Sequence, residues 1–188
     1  SLGSNLLMVM PGAPRTPGVR PSPGSMKSLK VADYEAIAKL DGVKAASPMT
    51  NGGYVVIYQN KNWTTSVSGV NANYLDVNNW TMKSGRFLSE KNVQNRERVA
   101  VVGKTVVKNL FGDEDPVGKE IRVKNIPFRI IGVLNSKGSG AMGNDQDDMV
   151  IIPYTTAMER VDGIDYLRMI YVVGKDENGI DRLQSDIE

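Results

Sequence analysis

Paired carboxylates are the remaining candidates for general acid-base catalysis in this 188-residue chain, because the sequence contains neither His nor Cys. That composition excludes Ser-His-Asp triads, thiol nucleophiles, and imidazole or thiolate metal sites. The neighbouring acids Asp145 and Asp147 could still support a carboxylate-dependent hydrolysis. We keep such a hydrolase as a distant alternative, which Asp-to-Asn changes at these two positions would test.

Two acidic stretches carry oxygen ligands that a hard cation could use. Carboxylates cluster at residues 145–148, and the pattern D-x-D-x-x-G at residues 113–118 begins like a calcium-binding loop. The second pattern then departs, with Val117 at its fifth position and Lys124 where a bidentate glutamate is required. We interpret both stretches as solvated acidic turns and predict neither a metal nor another cofactor.

A glycine-rich stretch from Gly138 to Gly143 matches G-x-G-x-x-G and follows a predicted strand. A dinucleotide site needs the last glycine to open an apolar helix, whereas acidic residues follow here and would repel phosphate. Long, polar, glycine-rich connections are typical of functional loops on rigid scaffolds, so we predict a partner-contact or gating surface. The alternative is a merely disordered connection. The candidate residues are Gly138, Gly140, Met142, Gly143, Asn144, Asp145, Asp147 and Asp148.

Charge and hydropathy narrow the possible partners. The chain has 23 Lys and Arg against 21 Asp and Glu, a net charge of +2, with both signs interspersed. Because the positive charges are not concentrated in a basic patch, the charge pattern does not indicate nucleic-acid binding. A content of 40% hydrophobic residues is typical of a globular protein. The longest apolar runs, residues 6–10 and 149–152, are far shorter than the roughly 20 residues that span a bilayer.

Local patterns predict short strands and short helices around these stretches. Five of the nine prolines fall within residues 11–28, which predicts an extended linker or a disordered segment. The predicted strands are 6–10, 43–47, 54–58, 64–68, 99–103, 119–124, 127–134, 149–152 and 168–173, with turns at 59–62 and 125–126. The predicted helices are 33–40, 73–77, 105–110, 154–161 and 180–187.

Two tryptophans and three tyrosines in the first half of the chain could form a ligand platform. Large apolar side chains in a domain of this size usually pack in the core, so we predict core or hairpin packing instead. The residues are Tyr54, Tyr58, Trp63, Tyr74 and Trp80.

The order of several motifs resembles a known family. The motifs are residues 1–7 with Pro11-Gly12, Leu40-Asp41-Gly42-Val43, Gly85-Arg86-Phe87-Leu88, the run from Val99 to Leu134 that contains Asp115-Pro116-Val117-Gly118, and Met149 to Pro153. Together they resemble the extracytoplasmic core domain of MacB-type ABC-transporter permeases. More distantly they are similar to the lipoprotein-releasing and FtsX-like permeases, and a lipoprotein-handling or cell-wall-regulating permease domain is the alternative.

The resemblance implies an α+β fold with two subdomains. A porter-like α/β subdomain would comprise residues 29–84 and 165–188, with a β-rich lobe, residues 85–164, inserted between them. Residues 1–28 would follow a transmembrane helix that is absent from this chain. The domain would lie on the extracytoplasmic side of the bacterial inner membrane, periplasmic or extracellular.

The same resemblance implies a non-catalytic domain that acts through its partners. These would be a membrane-fusion adaptor protein and an ATPase domain or subunit of the same transporter, with the parent a homodimer. We carry over no catalytic residue, because Pro116 and Gly118 in the most specific motif serve a turn and perform no chemistry.

Overall fold

The computed structural model describes residues 5–12 and 27–175. Its strands are β1 (Leu6–Val9), β2 (Val43–Tyr58), β3 (Lys61–Val70), β4 (Met82–Gly85), β5 (Val99–Val102), β6 (Glu120–Val123), β7 (Ile126–Leu134), β8 (Met149–Pro153) and β9 (Met169–Gly174). Its helices are α1 (Val31–Ala38), α2 (Tyr74–Val77), α3 (Glu90–Gln94), α4 (Lys104–Leu110) and α5 (Tyr154–Thr156), which continues as a π-helix, Ala157–Asp162. The predicted helix 180–187 and most of the predicted linker lie outside the described residues.

A small antiparallel sheet joins both ends of the described chain. Strand β9 pairs with β1 on one side and with residues 43–49 of β2 on the other. Helix α1 packs on this sheet, because Tyr34, Ile37 and Leu40 recur at helical spacing and meet Ile170 in one apolar cluster. In the described ranges, no helix has the length and apolar character needed to cross a bilayer.

Six strands close into a barrel beyond that sheet. They follow the order β2, β3, β8, β5, β7 and β6, and the ring closes because β6 pairs with both β7 and β2. Alternate side chains of β6 and β7 point inward, with Ile121, Val123, Phe128 and Ile130 all fully buried. Buried side chains of the described strands therefore fill the interior of the barrel.

A helix closes each end of the barrel. At the end near the β2–β3 turn, α4 contributes Leu110, and Phe111 stacks on Tyr58 with ring centroids 4.1 Å apart. At the other end the π-helix contributes Val161, whose carbonyl oxygen accepts a hydrogen bond from Lys124 Nζ at 3.0 Å. These contacts define an α4 end and a π-helix end of the barrel.

Strand β2 is longer than the sequence predicts. It runs unbroken over 16 residues and leaves the small sheet to enter the barrel near Thr50. The prediction of two separate strands, 43–47 and 54–58, was wrong. It treated Pro48, Gly52 and Gly53 as residues that end a strand, as proline and glycine usually do. Here Tyr54 lies over Gly52, where a Cβ atom would be 2.7 Å from the ring, so the glycine makes room for packing.

Three further local predictions need correction. The β2–β3 turn is the residue pair Gln59–Asn60, since Lys61 and Asn62 already pair in β3. The β6–β7 turn is Lys124–Asn125, with positive φ of 50° and 65°, and Ile126 pairs with Val123. The helix predicted for residues 154–161 is α-helical only over Tyr154–Thr156 before it widens into the π-helix.

The mixed α/β fold class is confirmed. Helix α2 and the residues between α2 and α3 cover the outer face of β5, β7 and β8, where Trp80 and Leu88 pack against Val101, Ile131 and Ile151. Strand β4, in the same stretch, pairs with β7 in the sheet. The boundary near residue 85 stays a prediction, and the barrel takes strands from both sides of it. Core packing of Tyr58, Tyr74 and Trp80 is confirmed, with relative exposures of 6%, 4% and 6%.

Candidate functional site

The candidate loop, residues 135–148, joins β7 to β8 at the α4 end of the barrel. Backbone hydrogen bonds fix its last residues against the start of α4. Gly103 donates its N–H to the carbonyl oxygen of Met149 at 3.0 Å, and Thr105 donates to that of Asp147 at 3.2 Å. The loop is thus seated on the turn between β5 and α4.

Asp147 clasps the two ends of the loop together. Its carboxylate accepts hydrogen bonds from Ser136 Oγ at 2.7 Å, Lys137 N at 2.7 Å and Gly138 N at 3.0 Å. Burial alone would raise the pKa of this carboxyl, since only 5% of the residue is exposed, but the three donors outweigh burial and lower it. The clasp therefore holds a charged carboxylate at neutral pH.

The other two acids of the loop also act as anchors. Asp145 Oδ2 accepts a hydrogen bond from Thr105 Oγ1 at 2.6 Å, on α4. Asp148 Oδ1 accepts from Trp63 Nε1 at 2.9 Å and from Thr65 Oγ1 at 2.7 Å, both on β3. Each carboxylate ties the loop to a different element of the barrel end.

Lys137 fixes the other stem of the loop to the residues that follow α2. Its Nζ lies 4.2 Å from the centroid of the Trp80 ring, a cation-π distance, and donates a hydrogen bond to the carbonyl oxygen of Asn78. Burial lowers the pKa of this ammonium group. The loop is held at both stems by side chains of the folded body.

Only the tip projects from these anchors. Gly140 N donates to the carbonyl oxygen of Asn144 at 2.8 Å, and Gly143 N donates to that of Gly140 at 3.0 Å, which closes a tight turn. Gly143 adopts a positive φ of 77°, which favours glycine. Met142 stands at this turn with 92% of its surface exposed, an apolar side chain presented by a fixed loop.

The predicted site residues thus have distinct places. Gly138, Asp145, Asp147 and Asp148 lie in the anchoring network, while Gly140, Met142, Gly143 and Asn144 form the tip. Sequence reasoning missed the residues that anchor the loop: Trp63, Thr65, Trp80, Gly103, Thr105, Ser136 and Lys137. One available signal was the acids themselves, since Asp side chains in loops commonly accept backbone N–H groups.

The loop can present its exposed tip to a partner. Its three aspartates hold the loop in place through hydrogen bonds. Among residues 5–12 and 27–175, no group of three or more His, Cys, Asp or Glu is placed to hold a metal ion. In the second acidic stretch, Asp115 Oδ1 accepts a hydrogen bond from Val117 N at 3.1 Å, within the turn before β6.

The chain is similar in sequence to a family of transporter domains. The whole chain, residues 1–188, matches the family described as MacB-like periplasmic core domain. The macrolide export ATP-binding/permease protein MacB of Rhodospirillum rubrum is 44% identical over 190 residues, which cover 100% of this chain and 29% of that protein. MacB of Marinobacter nauticus is 37% identical, with 98% of this chain and 28% of that protein covered.

Solved structures share the fold. The periplasmic region of MacB from Actinobacillus actinomycetemcomitans superposes with a TM-score of 0.82 at 24% identity, over 98% of this chain and 81% of that one. The extracellular domain of the noncanonic ABC-type transporter YknZ from Gram-positive bacteria gives 0.72 at 19% identity, over 82% and 78%. The chain spans less than a third of the MacB proteins it matches in sequence. It belongs to the MacB-like periplasmic core domain family of ABC-transporter permeases, and it lies on the extracytoplasmic side of the inner membrane.

Proposed function

We propose that this domain serves an ABC exporter by contacting a membrane-fusion adaptor protein through the tip of the loop at residues 138–148. The observation that carries the proposal is the exposed Met142 on a loop that its own carboxylates hold in place. Asp145 and Asp148 bond to α4 and β3, and Asp147 joins the two ends of the loop. Because the backbone that carries Met142 is already held, a partner that covers this residue orders its side chain without also ordering the loop. Under this proposal, the domain supports export through contacts with its partners and through rigid-body motion, and it catalyses no reaction.

The position of the loop supports contact with a partner far from the small sheet. Strand β2 runs from its pairing with β9 to the turn at Gln59, and the loop meets the neighbouring β3 at Trp63 and Thr65. At about 3.3 Å per residue, this strand extends on the order of 50 Å. The tip of the loop therefore lies at the barrel end remote from β1 and β9.

The same strand supports the proposal that motion passes through the domain. The names of the relatives combine ATP binding with permease activity, so we infer an ATPase domain or subunit in the parent transporter. We also propose that the parent is a homodimer, as the family resemblance implies. Strand β2 belongs to both the small sheet and the barrel, so it connects the two directly. Movement of the small sheet would thus carry the loop with it.

A binding measurement with a matched control tests the adaptor contact. The full-length permease would carry Met142→Asp or Met10→Asp, the same change at an exposed methionine after β1, and its affinity for the purified adaptor would be measured. We expect Met142→Asp to weaken binding by about tenfold or more, as for an interface anchor. Met10→Asp should leave it unchanged, and equal affinity of both variants would overturn the proposal.

A further inference from the structure

The outer surface of the barrel has one face that no described element covers. Helix α2 and the residues between α2 and α3 pack on the outer face of β5, β7 and β8, whereas the outward residues of β2, β3 and β6 are exposed. We call this second surface the hairpin face. It consists of Val55, Ile57, Asn62, Thr64 and Arg122.

Two branched aliphatic side chains stand at the centre of the hairpin face. Val55 is 50% exposed and Ile57 is 38% exposed, and their spacing of two residues puts both on the same side of β2. The strand register places Thr64 opposite Val55, while Ile57 lies between Asn62 and Arg122. In the part of the chain that the structure describes, these are the two large exposed apolar residues on a barrel strand.

The hairpin face continues into a groove beside the β2–β3 turn. The groove has a volume of about 460 Å³ and lies between that turn and the segment that leads into β6. Ile57 lines it on one side and Gly118 and Arg122 on the other. An extended segment that covered Val55 and Ile57 could therefore continue into a preformed depression.

Two arginines adjoin this apolar centre on the outer side of the barrel. Arg122 lies beside Ile57, and Arg129 follows on β7, opposite Glu120. Both are exposed, and neither forms an ion pair with an acid of the described residues. Lys119 lies 3.8 Å from Glu114, and Glu120 is the acid on the lining of the groove. An apolar centre with a rim of mostly unpaired cations is complementary to an acidic surface that carries aliphatic residues.

We propose that the hairpin face is a docking site for an acidic segment of a partner protein that places aliphatic side chains on Val55 and Ile57 and carboxylates beside Arg122 and Arg129. The site is separate from the loop at residues 138–148, so it stands or fails independently of the adaptor contact proposed there.

A peptide titration of this 188-residue chain tests the proposal. The probe is a short synthetic peptide that alternates glutamate with leucine, and binding is followed by shifts of the backbone amide signals in NMR spectra. We expect the shifts to concentrate at residues 55–62 and 118–123, and binding to weaken as salt is added. A peptide with lysine for glutamate, or serine for leucine, should bind at least about tenfold more weakly.

Paired variants separate this site from nonspecific attraction. Arg122→Glu and Ile57→Ser should each weaken binding about tenfold, whereas Lys91→Glu on α3 and Met8→Ser on β1 should not change it. Shifts spread over the whole surface, or equal affinity of all four variants, would overturn the proposal. So would self-association of the chain that Ile57→Ser abolishes, because the occupant would then be a second copy.

Discussion

Gly103 lies directly against the backbone of Asp147. A Cβ atom on Gly103 would stand 2.1 Å from the carbonyl oxygen of Asp147, a distance at which one of them must move. The glycine therefore lets the last residues of the loop approach the turn between β5 and α4. The same carbonyl oxygen accepts the hydrogen bond from Thr105 N, so any displacement also strains the start of α4.

Gly103→Ala should lift the loop from its seat. Since the clash is with backbone, which cannot rotate away, we expect a loss of about 1–3 kcal/mol in the free energy of unfolding. Urea unfolding gives the free energy, and amide exchange would show faster opening at residues 136–148. Gly53→Ala is the matched control, because a Cβ at Gly53 meets no atom within 4 Å. Equal stability of the two variants would contradict this account of the seat.

Acid should open the Asp147 clasp. The folded-state pKa of this carboxyl is lowered, so its contribution to stability is present above the unfolded pKa, near 3.9, and is lost as pH falls through the folded value. We expect the protection of the Lys137 and Gly138 amides, measured relative to their intrinsic exchange rates at each pH, to fall in that acidic range while the barrel core stays protected. Amide exchange measured across the range checks this.

Asp147→Asn should remove the charge that Ser136 and the two amides recognise. We expect a cost of about 1–3 kcal/mol at neutral pH, because an amide oxygen is a weaker acceptor and its NH₂ group faces donors. The variant should also be less sensitive to acid than the wild type. Asp113→Asn, at an exposed acid, is the control. An unchanged acid response in Asp147→Asn would contradict the prediction.

The π-helix end of the barrel depends on a tyrosine-carboxylate contact. Tyr54 Oη donates to Asp162, whose pKa is raised because burial outweighs the hydrogen bonds that favour its charged form. Tyr54→Phe should cost about 1–3 kcal/mol at neutral pH by leaving a half-buried carboxylate with one donor fewer. The cost should shrink below the unfolded pKa, where the carboxyl is protonated in both states.

Thermal unfolding of Tyr54→Phe at neutral and acidic pH measures that difference. Tyr166→Phe is the control, because it removes a hydroxyl from a tyrosine outside this contact. A penalty that does not depend on pH would show that the lost hydroxyl acts through packing and not through the carboxylate.

Two glycines with similar backbone angles should respond differently to alanine. Gly85 has φ of 68°, and a Cβ there would lie 2.1 Å from the carbonyl oxygen of Ile131, whereas Gly112 has φ of 60° and open space around it. Gly112→Ala should cost about 1–2 kcal/mol for the left-handed conformation alone. Gly85→Ala adds a backbone clash, and we expect about 3 kcal/mol or more. Urea unfolding that gave equal costs would contradict this packing of β4 on β7.

Sequence patterns predicted the elements whose signals are local. Alternating apolar residues predicted β6 and β7. The turn-forming residue Asn125 predicted their turn to within one residue. Lys124 shifted it, because a lysine rarely takes a positive φ and gives no turn signal. The closed barrel was beyond such reasoning, since it depends on the pairing of Val56 with Val123 and on a parallel match of β3 with β8.

In the candidate loop, too, local features could be predicted from the sequence and contacts between distant residues could not. Its glycines and acids located residues 138–148 as a polar surface feature. The clasp could not be predicted, because Ser136 and Asp147 meet only when β7 and β8 lie two strands apart with β5 between them. Trp80 is distant in sequence from Lys137, and no local pattern connects them.

The most direct test is site-specific labelling of the loop tip in cells. Asn144→Cys, in the full-length permease freed of other cysteines, would be treated with a maleimide that cannot cross the inner membrane, with and without the adaptor. The account predicts labelling in intact cells that slows when the adaptor is co-expressed, while Lys91→Cys labels at the same rate in both cases. Labelling of position 144 only after lysis, or at a rate that the adaptor does not change, would contradict it.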